Sequence, residues 1–172
     1  SDANGFMINI TLYNGSNSLV LNQTSATSPL EINFTGLVSG TYYLNATVND
    51  TAGNRNFTVK NTIVLDNTNP FILFNANTTL SSGNFSDTGI FASVNASDLF
   101  GFMINVTLWN STGSMVLNQT STTSPVNINF TGLVSGTYYL NATANDTAGN
   151  PDFTEERVVL LDSVPPFVFF NV

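Results

Sequence analysis

The chain has 172 residues, of which 42% are hydrophobic and only 8% are charged, and its formal net charge is −8. With three lysines and arginines in total and no histidine, the sequence lacks the basic patches that nucleic acid requires, which excludes a nucleic-acid-binding role. The absence of cysteine excludes a disulfide framework and a cysteine-ligated metal site. The apolar runs, such as FVFF at Phe167, are too short for a signal peptide or a membrane span.

A block of about 96 residues occurs nearly twice. The segment TGLVSGTYYLNATVNDTAGN at Thr35 returns at Thr131 with one change, from Val48 to Ala144, and 50 of the 76 positions aligned at this offset are identical. A period of this length fits a small domain rather than a solenoid unit. The sequence therefore predicts a partial copy over 1–66, a complete copy over 67–162 and the first strand of a following copy over 163–172.

The complete copy alternates apolar and polar residues, which is typical of half-buried strands. The pattern predicts seven strands, in chain order near 70–76, 89–97, 101–109, 114–120, 126–131, 137–145 and 153–161. Gly, Pro, Asn and Ser cluster between them as turn signals, and no segment has helical spacing. Seven short strands in about 96 residues predict an all-β fold, with tandem immunoglobulin-like seven-stranded β-sandwiches.

The run Leu-x-x-Gly-Thr-Tyr-x-Leu-x-Ala at Leu133, followed by NDTAGN and by LDSVPP at Leu161, resembles the immunoglobulin-like and fibronectin type III-like tandem repeats of archaeal and bacterial surface proteins, stalks and adhesins. The resemblance implies an extracellular, cell-surface location. It also implies a tyrosine corner, in which the hydroxyl of Tyr138, or of Tyr42 in the other copy, bonds to the backbone just upstream. Antibody domains differ from this pattern, since they have a cysteine pair and a buried tryptophan, whereas Trp109 lies on the outward side of its strand.

Asn-x-Ser/Thr sequences are denser than the composition alone predicts. A strand that alternates apolar and polar residues places Asn and Thr two apart on its exposed face, as at Asn105 and Thr107, so part of the excess has a structural origin. Sequences in predicted turns have no such origin, and we therefore expect an N-glycosylated extracellular protein. The sixteen candidate sites are Asn9, Asn14, Asn22, Asn33, Asn45, Asn49, Asn56, Asn77, Asn84, Asn95, Asn105, Asn110, Asn118, Asn129, Asn141 and Asn145.

The sequence contains no catalytic constellation. Without histidine or cysteine, and with scattered carboxylates, it lacks an activated nucleophile and an acid-base pair. Glu155 and Glu156 are the only adjacent acids, and they replace Val59 and Lys60 of the other copy, which indicates solvated surface. We expect no enzymatic activity.

Three aspartates form a candidate metal site. In a sandwich of this topology the second and sixth strands end at the pole where the chain enters, so Asp98 and Asp146 are expected to approach Asp66 in the preceding linker. Together with neighbouring asparagines and backbone carbonyls, they would supply the oxygen ligands that calcium prefers. The alternative is that Asp98 and Asp146 cap tight turns for backbone reasons alone. Calcium is the one cofactor that the sequence suggests.

A patterned outer face is predicted where the third and sixth strands are neighbours. Trp109 and Tyr139 then lie together on a surface that is otherwise polar. Such a face suits contact with a sugar, with a neighbouring subunit or with the protein's own glycans. The alternative is that the two rings are isolated surface aromatics, which strands accommodate well.

Two functions remain after these exclusions. The first is a structural module, repeated to form a stalk, sheath or filament on a cell surface, with an archaeal cell favoured. The second is an adhesin segment that binds carbohydrate or another cell surface. The structural role is favoured because binding loops usually diversify between repeats, whereas these copies keep theirs. The expected partners are other copies of the chain and carbohydrate.

The partial copy raises a further hypothesis about self-association. It has no counterpart of residues 70–96, so we expect it to leave an apolar face and an open edge. The tail PPFVFFNV from Pro165 matches the first predicted strand, from Pro70, and strand complementation between chains would join copies into a polymer. A longer continuous chain explains the same pattern.

Overall fold

The computed structural model describes residues 5–86 and 88–170, which form strands and their connections. Two units are distinguished, Ser1–Asn67 and Thr68–Val172. Within the described residues there is no helix of the length and hydropathy needed to cross a membrane.

The first unit is a single antiparallel sheet. Its strands are β1 (Phe6–Asn14), β2 (Leu19–Ser25), β3 (Gly40–Asp50), β4 (Arg55–Phe57) and β5 (Asn61–Leu65). β1 lies between β2 and β3, and both β4 and β5 pair with the other edge of β3. Leu12 and Tyr42 are buried, but Ile8, Ile10 and Val48 remain half-exposed. The apolar face that the sequence predicts for the partial copy is therefore present and open.

The second unit is a sandwich of two sheets. Its strands are β6 (Phe71–Phe74), β7 (Asn84–Phe85), β8 (Ile90–Ser97), β9 (Phe102–Asn110), β10 (Met115–Ser121), β11 (Val126–Phe130), β12 (Gly136–Asp146), β13 (Pro151–Phe153) and β14 (Arg157–Leu161). One sheet has the order β10-β9-β12-β14-β7, with β13 also on β12, and the other has the order β11-β8-β6. The predicted all-β immunoglobulin-like sandwich is confirmed.

The core of the second unit consists of the alternate residues that face inward from both sheets. Each buried Val, Leu or Ile among them contributes roughly 1.5–3 kcal/mol of hydrophobic stabilisation. The period-two pattern therefore fixes which face of each strand is buried. The residues with no exposed surface are Ile90, Ala92, Val94, Ile104, Val106, Leu108, Leu140, Ala142, Ala144 and Val159.

The single strand predicted over 153–161 is wrong, because the structure divides it into β13 and β14. Thr154 causes the break: its backbone N–H donates to the carbonyl of Ala142 at 2.9 Å, and its hydroxyl accepts from the N–H of Ala142 at 2.9 Å. A side-chain oxygen thus takes the place of a backbone carbonyl in the ladder. Between β13 and β14 the chain has one residue more than the facing part of β12, and pairing with β12 resumes at β14. This arrangement is a β-bulge.

The strand count also needs correction between residues 70 and 96. This range contains three strands rather than two, because β7 pairs in parallel with β14. In the first unit, residues 30–34 form no strand although their counterparts form β11. β11 pairs with β8, and the first unit has no counterpart of β8.

Candidate functional site

The register of β9 and β12 places Trp109 and Tyr139 together on the outer face of the second unit. The two strands present four directly opposed pairs on this face, and Trp109 and Tyr139 form the pair next to the β9–β10 turn. Both aromatic residues are half-buried. The four pairs are Trp109 with Tyr139, Thr107 with Asn141, Asn105 with Thr143, and Met103 with Asn145.

A shallow depression of about 360 Å³ opens at the aromatic pair. Trp109 and Tyr139 form its apolar part, Asn110 comes from the end of β9, and Ser111 comes from the turn after it. Glu156, from the segment between β13 and β14, brings a carboxylate to the rim. The depression thus combines two rings with groups that donate and accept hydrogen bonds.

The first unit has a different arrangement at the equivalent place. Tyr13 and Tyr43 are paired across β1 and β3, as Trp109 and Tyr139 are in the second unit. Lys60, the counterpart of Glu156, places its Nζ 4.1 Å from the centre of the Tyr43 ring, which is a cation–π contact. A cation therefore covers one ring in the first unit, whereas an acid stands in its place in the second.

Both tyrosine corners are confirmed. The hydroxyl of Tyr138 donates to the carbonyl of Val134 at 3.0 Å, and that of Tyr42 donates to Val38 at 2.9 Å. The two copies therefore hold the turn before their long central strand by the same bond.

Asp146 caps the turn that follows β12. Its Oδ1 accepts from the N–H groups of Ala148 at 2.9 Å and Asn150 at 2.8 Å, and its Oδ2 accepts from the Asn150 amide at 2.6 Å. Burial raises the pKa of Asp146, but the hydrogen bonds from Asn150, Gly149 and Ala148 outweigh it, so the pKa lies below its ordinary value. Asp50 has a lowered pKa for the corresponding reason, chiefly the hydrogen bond from the Asn54 side chain.

The two aspartates of the second unit that were proposed as calcium ligands lie together. Carboxylate oxygens of Asp98 and Asp146 are within 4.8 Å of each other. Asp98 also caps a turn, because its Oδ1 accepts from the N–H of Phe100 at 2.7 Å. Asp66 belongs to the first unit, where its Oδ1 accepts from the hydroxyl of Ser39 at 3.4 Å. The hydrogen bonds show the turn-capping role directly, and calcium binding stays a prediction.

All sixteen candidate glycosylation asparagines lie among the described residues. None of them is buried: each is exposed or half-exposed, whether it lies in a strand or a turn. Asn84, Asn118, Asn129 and Asn145 are among the exposed ones. Glycosylation of these sites stays a prediction.

Arg157 and Thr78 carry structural roles that the sequence patterns did not reveal. The guanidinium of Arg157 donates to the carbonyls of Thr78 at 3.0 Å and Thr79 at 3.2 Å, and it lies 4.8 Å from the centre of the Phe74 ring. The buried hydroxyl of Thr78 bonds to both backbone groups of Ser93. Together they fix the segment after β6. The one available signal was that Arg157 is the sole cation between residues 68 and 172.

The open face of the first unit contains a groove of about 570 Å³, lined in its apolar part by Phe6, Ile8, Ala46, Val48 and Phe57. The equivalent face of the second unit is the one on which β6 lies, in contact with β12 and β13.

β6 buries Ile72 and Phe74, to 6% and 7% exposure. The residues aligned with them in the tail, Val168 and Phe170, are 90% and 95% exposed. Residues 163–170 form no strand, and the last two residues of the predicted strand lie outside the described residues.

No protein-family model matches the chain, and no curated protein matches it significantly. Solved structures that match the chain include the fibronectin(III)-like modules of Clostridium thermocellum CbhA, at 18% identity and a TM-score of 0.44, covering 56% of this chain and 100% of that one. The FN1–FN3 domains of chicken CNTN1 match at 11% identity and a TM-score of 0.49, over 92% of this chain and 56% of that one. The BSP domain of a biofilm-associated protein matches at 20% identity and a TM-score of 0.33, over 92% of this chain and 26% of that one.

Proposed function

We propose that the chain is a segment of a non-enzymatic surface protein, in which sandwich modules repeat to form a stalk, sheath or filament on an archaeal or bacterial cell. One observation carries the proposal: the residues whose side chains fix the backbone through hydrogen bonds are identical in the two copies.

Three such local features are held by the same hydrogen bonds in both units. They are the tyrosine corner, the aspartate-capped turn after the long central strand, and the threonine hydroxyl that enters the ladder at Thr58 and Thr154. Repeats that keep their internal geometry suit a regular array. The position that changes from Lys60 to Glu156 is exposed, so this exchange does not alter that internal geometry.

The same proposal includes an extracellular location and N-linked glycans on the surface of the chain. The surface carries little charge for a soluble protein, and N-linked sugar on the exposed asparagines would supply polar cover. Glycopeptide mass spectrometry of native material is expected to find sugar on several sites, Asn84, Asn110 and Asn145 among them. Unmodified asparagine at all sixteen sites would contradict this part.

Location on the cell surface is tested with antibodies raised against the chain. Immunogold labelling of intact cells is expected to decorate the surface, and brief protease treatment of intact cells is expected to remove the signal. Labelling that needs permeabilised cells would contradict the proposal.

A second candidate function is recognition of carbohydrate or of another cell surface. The observation that favours it is the depression at Trp109 and Tyr139, since a protein that served only as a spacer has no need of paired aromatic residues beside an unpaired acid. Carbohydrate binding and a structural role are compatible within one module.

A further inference from the structure

We propose that the depression on the outer face of the second unit is a subsite for one neutral pyranose ring. Trp109 and Tyr139 form the stacking platform, Glu156 accepts hydrogen bonds from two ring hydroxyls, and the Asn110 amide donates one. The proposal rests on the second candidate function and specifies its ligand class. It holds whether or not the chain forms a filament.

The platform follows from strand pairing. Residues directly opposite each other on adjacent antiparallel strands have Cβ atoms about 4.5–5.5 Å apart, so the two aromatic side chains are neighbours on the same face. Both side chains are half-buried, which limits the rotamer freedom that binding would remove. Sugars present an apolar C–H face between their hydroxyls, and an aromatic surface with polar neighbours matches that pattern.

The polar partners are available. Within the described chain, Glu156 has neither an ion pair nor a hydrogen bond, since Arg157 pairs instead with Glu155 at 3.1 Å. The Oδ1 of Asn110 accepts from the N–H groups of Thr112 at 3.1 Å and Ser114 at 2.9 Å, which holds the side chain and leaves its NH₂ group as a donor. A carboxylate acceptor and an amide donor are the complement of neighbouring sugar hydroxyls.

The charge of the site selects a neutral sugar. Arg157 is the sole cation between residues 68 and 172, and it is already paired, so nothing at the depression offsets the negative charge of Glu156. A uronate, a sialic acid or a phosphorylated sugar would meet like charge. The volume of about 360 Å³ lies at the lower end of the roughly 300–1,000 Å³ of ligand pockets, which suits a single ring of a longer glycan.

The first unit supplies an internal comparison. There Tyr13 replaces Trp109, and Lys60, in place of Glu156, lies over the Tyr43 ring. The cation occupies the surface on which a sugar would stack. Compared with the first unit, the second has the larger ring of Trp109 in place of Tyr13, and the exposed acid Glu156 in place of the covering base Lys60. These two differences assign the subsite to the second unit.

The sugar has two sources with the same chemistry. One is an oligosaccharide from outside the chain. The other is a glycan carried on Asn110, which lies in an Asn-Ser-Thr sequence at the rim of the depression. The first arm of the test addresses the outside source and the second addresses the chain's own glycan.

Trp109 is the only tryptophan of the chain, so its fluorescence reports the subsite directly. In the first arm, the 172-residue chain from a bacterial host without N-glycosylation is titrated with mannotriose and with cellotriose. A saturable shift of the emission to shorter wavelength is expected with at least one of them, and none with trigalacturonate. Glu156→Lys, which copies the first unit, is expected to weaken binding at least tenfold. The matched control is Lys60→Glu, which leaves the subsite untouched and is expected to bind as the original chain does.

In the second arm, the same emission is recorded for native glycosylated chain. If the Asn110 glycan fills the subsite, this emission lies at shorter wavelength than that of the bacterial chain, and Thr112→Ala restores the longer wavelength. That substitution removes the acceptor sequence but keeps the two backbone bonds to Asn110. The proposal is overturned if emission changes in neither arm, or if Glu156→Lys binds as tightly as the original chain. Both substitutions lie at exposed positions, so a folding defect is not expected to obscure the result.

Discussion

Replacement of Tyr138 by phenylalanine isolates the contribution of the tyrosine corner. The ring is 5% exposed and keeps its packing in the variant, so the change removes one hydrogen bond, from the hydroxyl to the carbonyl of Val134 at 3.0 Å. A bond of this kind contributes about 0.5–1.5 kcal/mol net. Val134 lies in an exposed turn, where water can replace the lost donor, and we therefore expect a loss of about 1 kcal/mol.

The assay is urea unfolding followed by the fluorescence of Trp109, which reports the second unit alone. With an m-value of about 1–3 kcal/mol per molar urea, the midpoint is expected to fall by about 0.3–1 M. Tyr139→Phe is the matched control, because the Tyr139 hydroxyl makes no hydrogen bond in the part of the chain that is described. An unchanged midpoint in Tyr138→Phe, or an equal loss in both variants, would refute the reasoning.

Three further predictions concern acid, metal and self-association. Because the folded-state pKa of Asp146 is lowered, its contribution to stability is fully present above the unfolded pKa of 3.8 and is lost as the pH falls through the lower folded-state pKa. As the pH falls through these two values, the urea midpoint of the original chain is expected to drop more steeply than that of Asp146→Asn. The calcium hypothesis predicts that about 5 mM calcium raises the unfolding midpoint and that Asp98→Asn abolishes the rise; an unchanged midpoint in the original chain contradicts it. Strand complementation predicts concentration-dependent association of the 172-residue chain in analytical ultracentrifugation, abolished by Phe170→Asp; equal association of both chains contradicts it.

The sandwich and its outer face were predictable because one face of each strand is buried. A shift of one residue would expose the apolar set of Ile104 and Leu108, so the alternation fixes the inward face and puts Trp109 and Tyr139 on the outer one. A shift of two residues would keep both faces, so the direct pairing of Trp109 with Tyr139 comes from the structure. The tyrosine corners were predictable from the local motif, since donor and acceptor are four residues apart.

The interruption at Thr154 was not predictable from the strand pattern. Threonine is a good strand former, and nothing in its neighbours indicates that its hydroxyl will replace a backbone carbonyl in the ladder. The pairing of β7 with β14 is equally hidden, because it joins two residues to a strand more than seventy positions away.

Tertiary context decides one segment outright. The sequence Ile-Asn-Phe occurs at both Ile32 and Ile128, yet it forms a strand only in the second unit, where β8 pairs with it. Local propensity is the same in both places, so the partner strand makes the difference.

The central claim, that these modules are structural repeats of a surface assembly, is tested most directly by cryo-electron microscopy of the native protein on its cell or in detached filaments. The longest strand has eleven residues and spans about 35 Å at roughly 3.3 Å per residue, so modules joined end to end are expected to give a regular axial repeat slightly above that length. Density for glycans is expected along the outer faces. Isolated globular particles without an axial repeat, or flexible chains with no regular module spacing, would contradict the account.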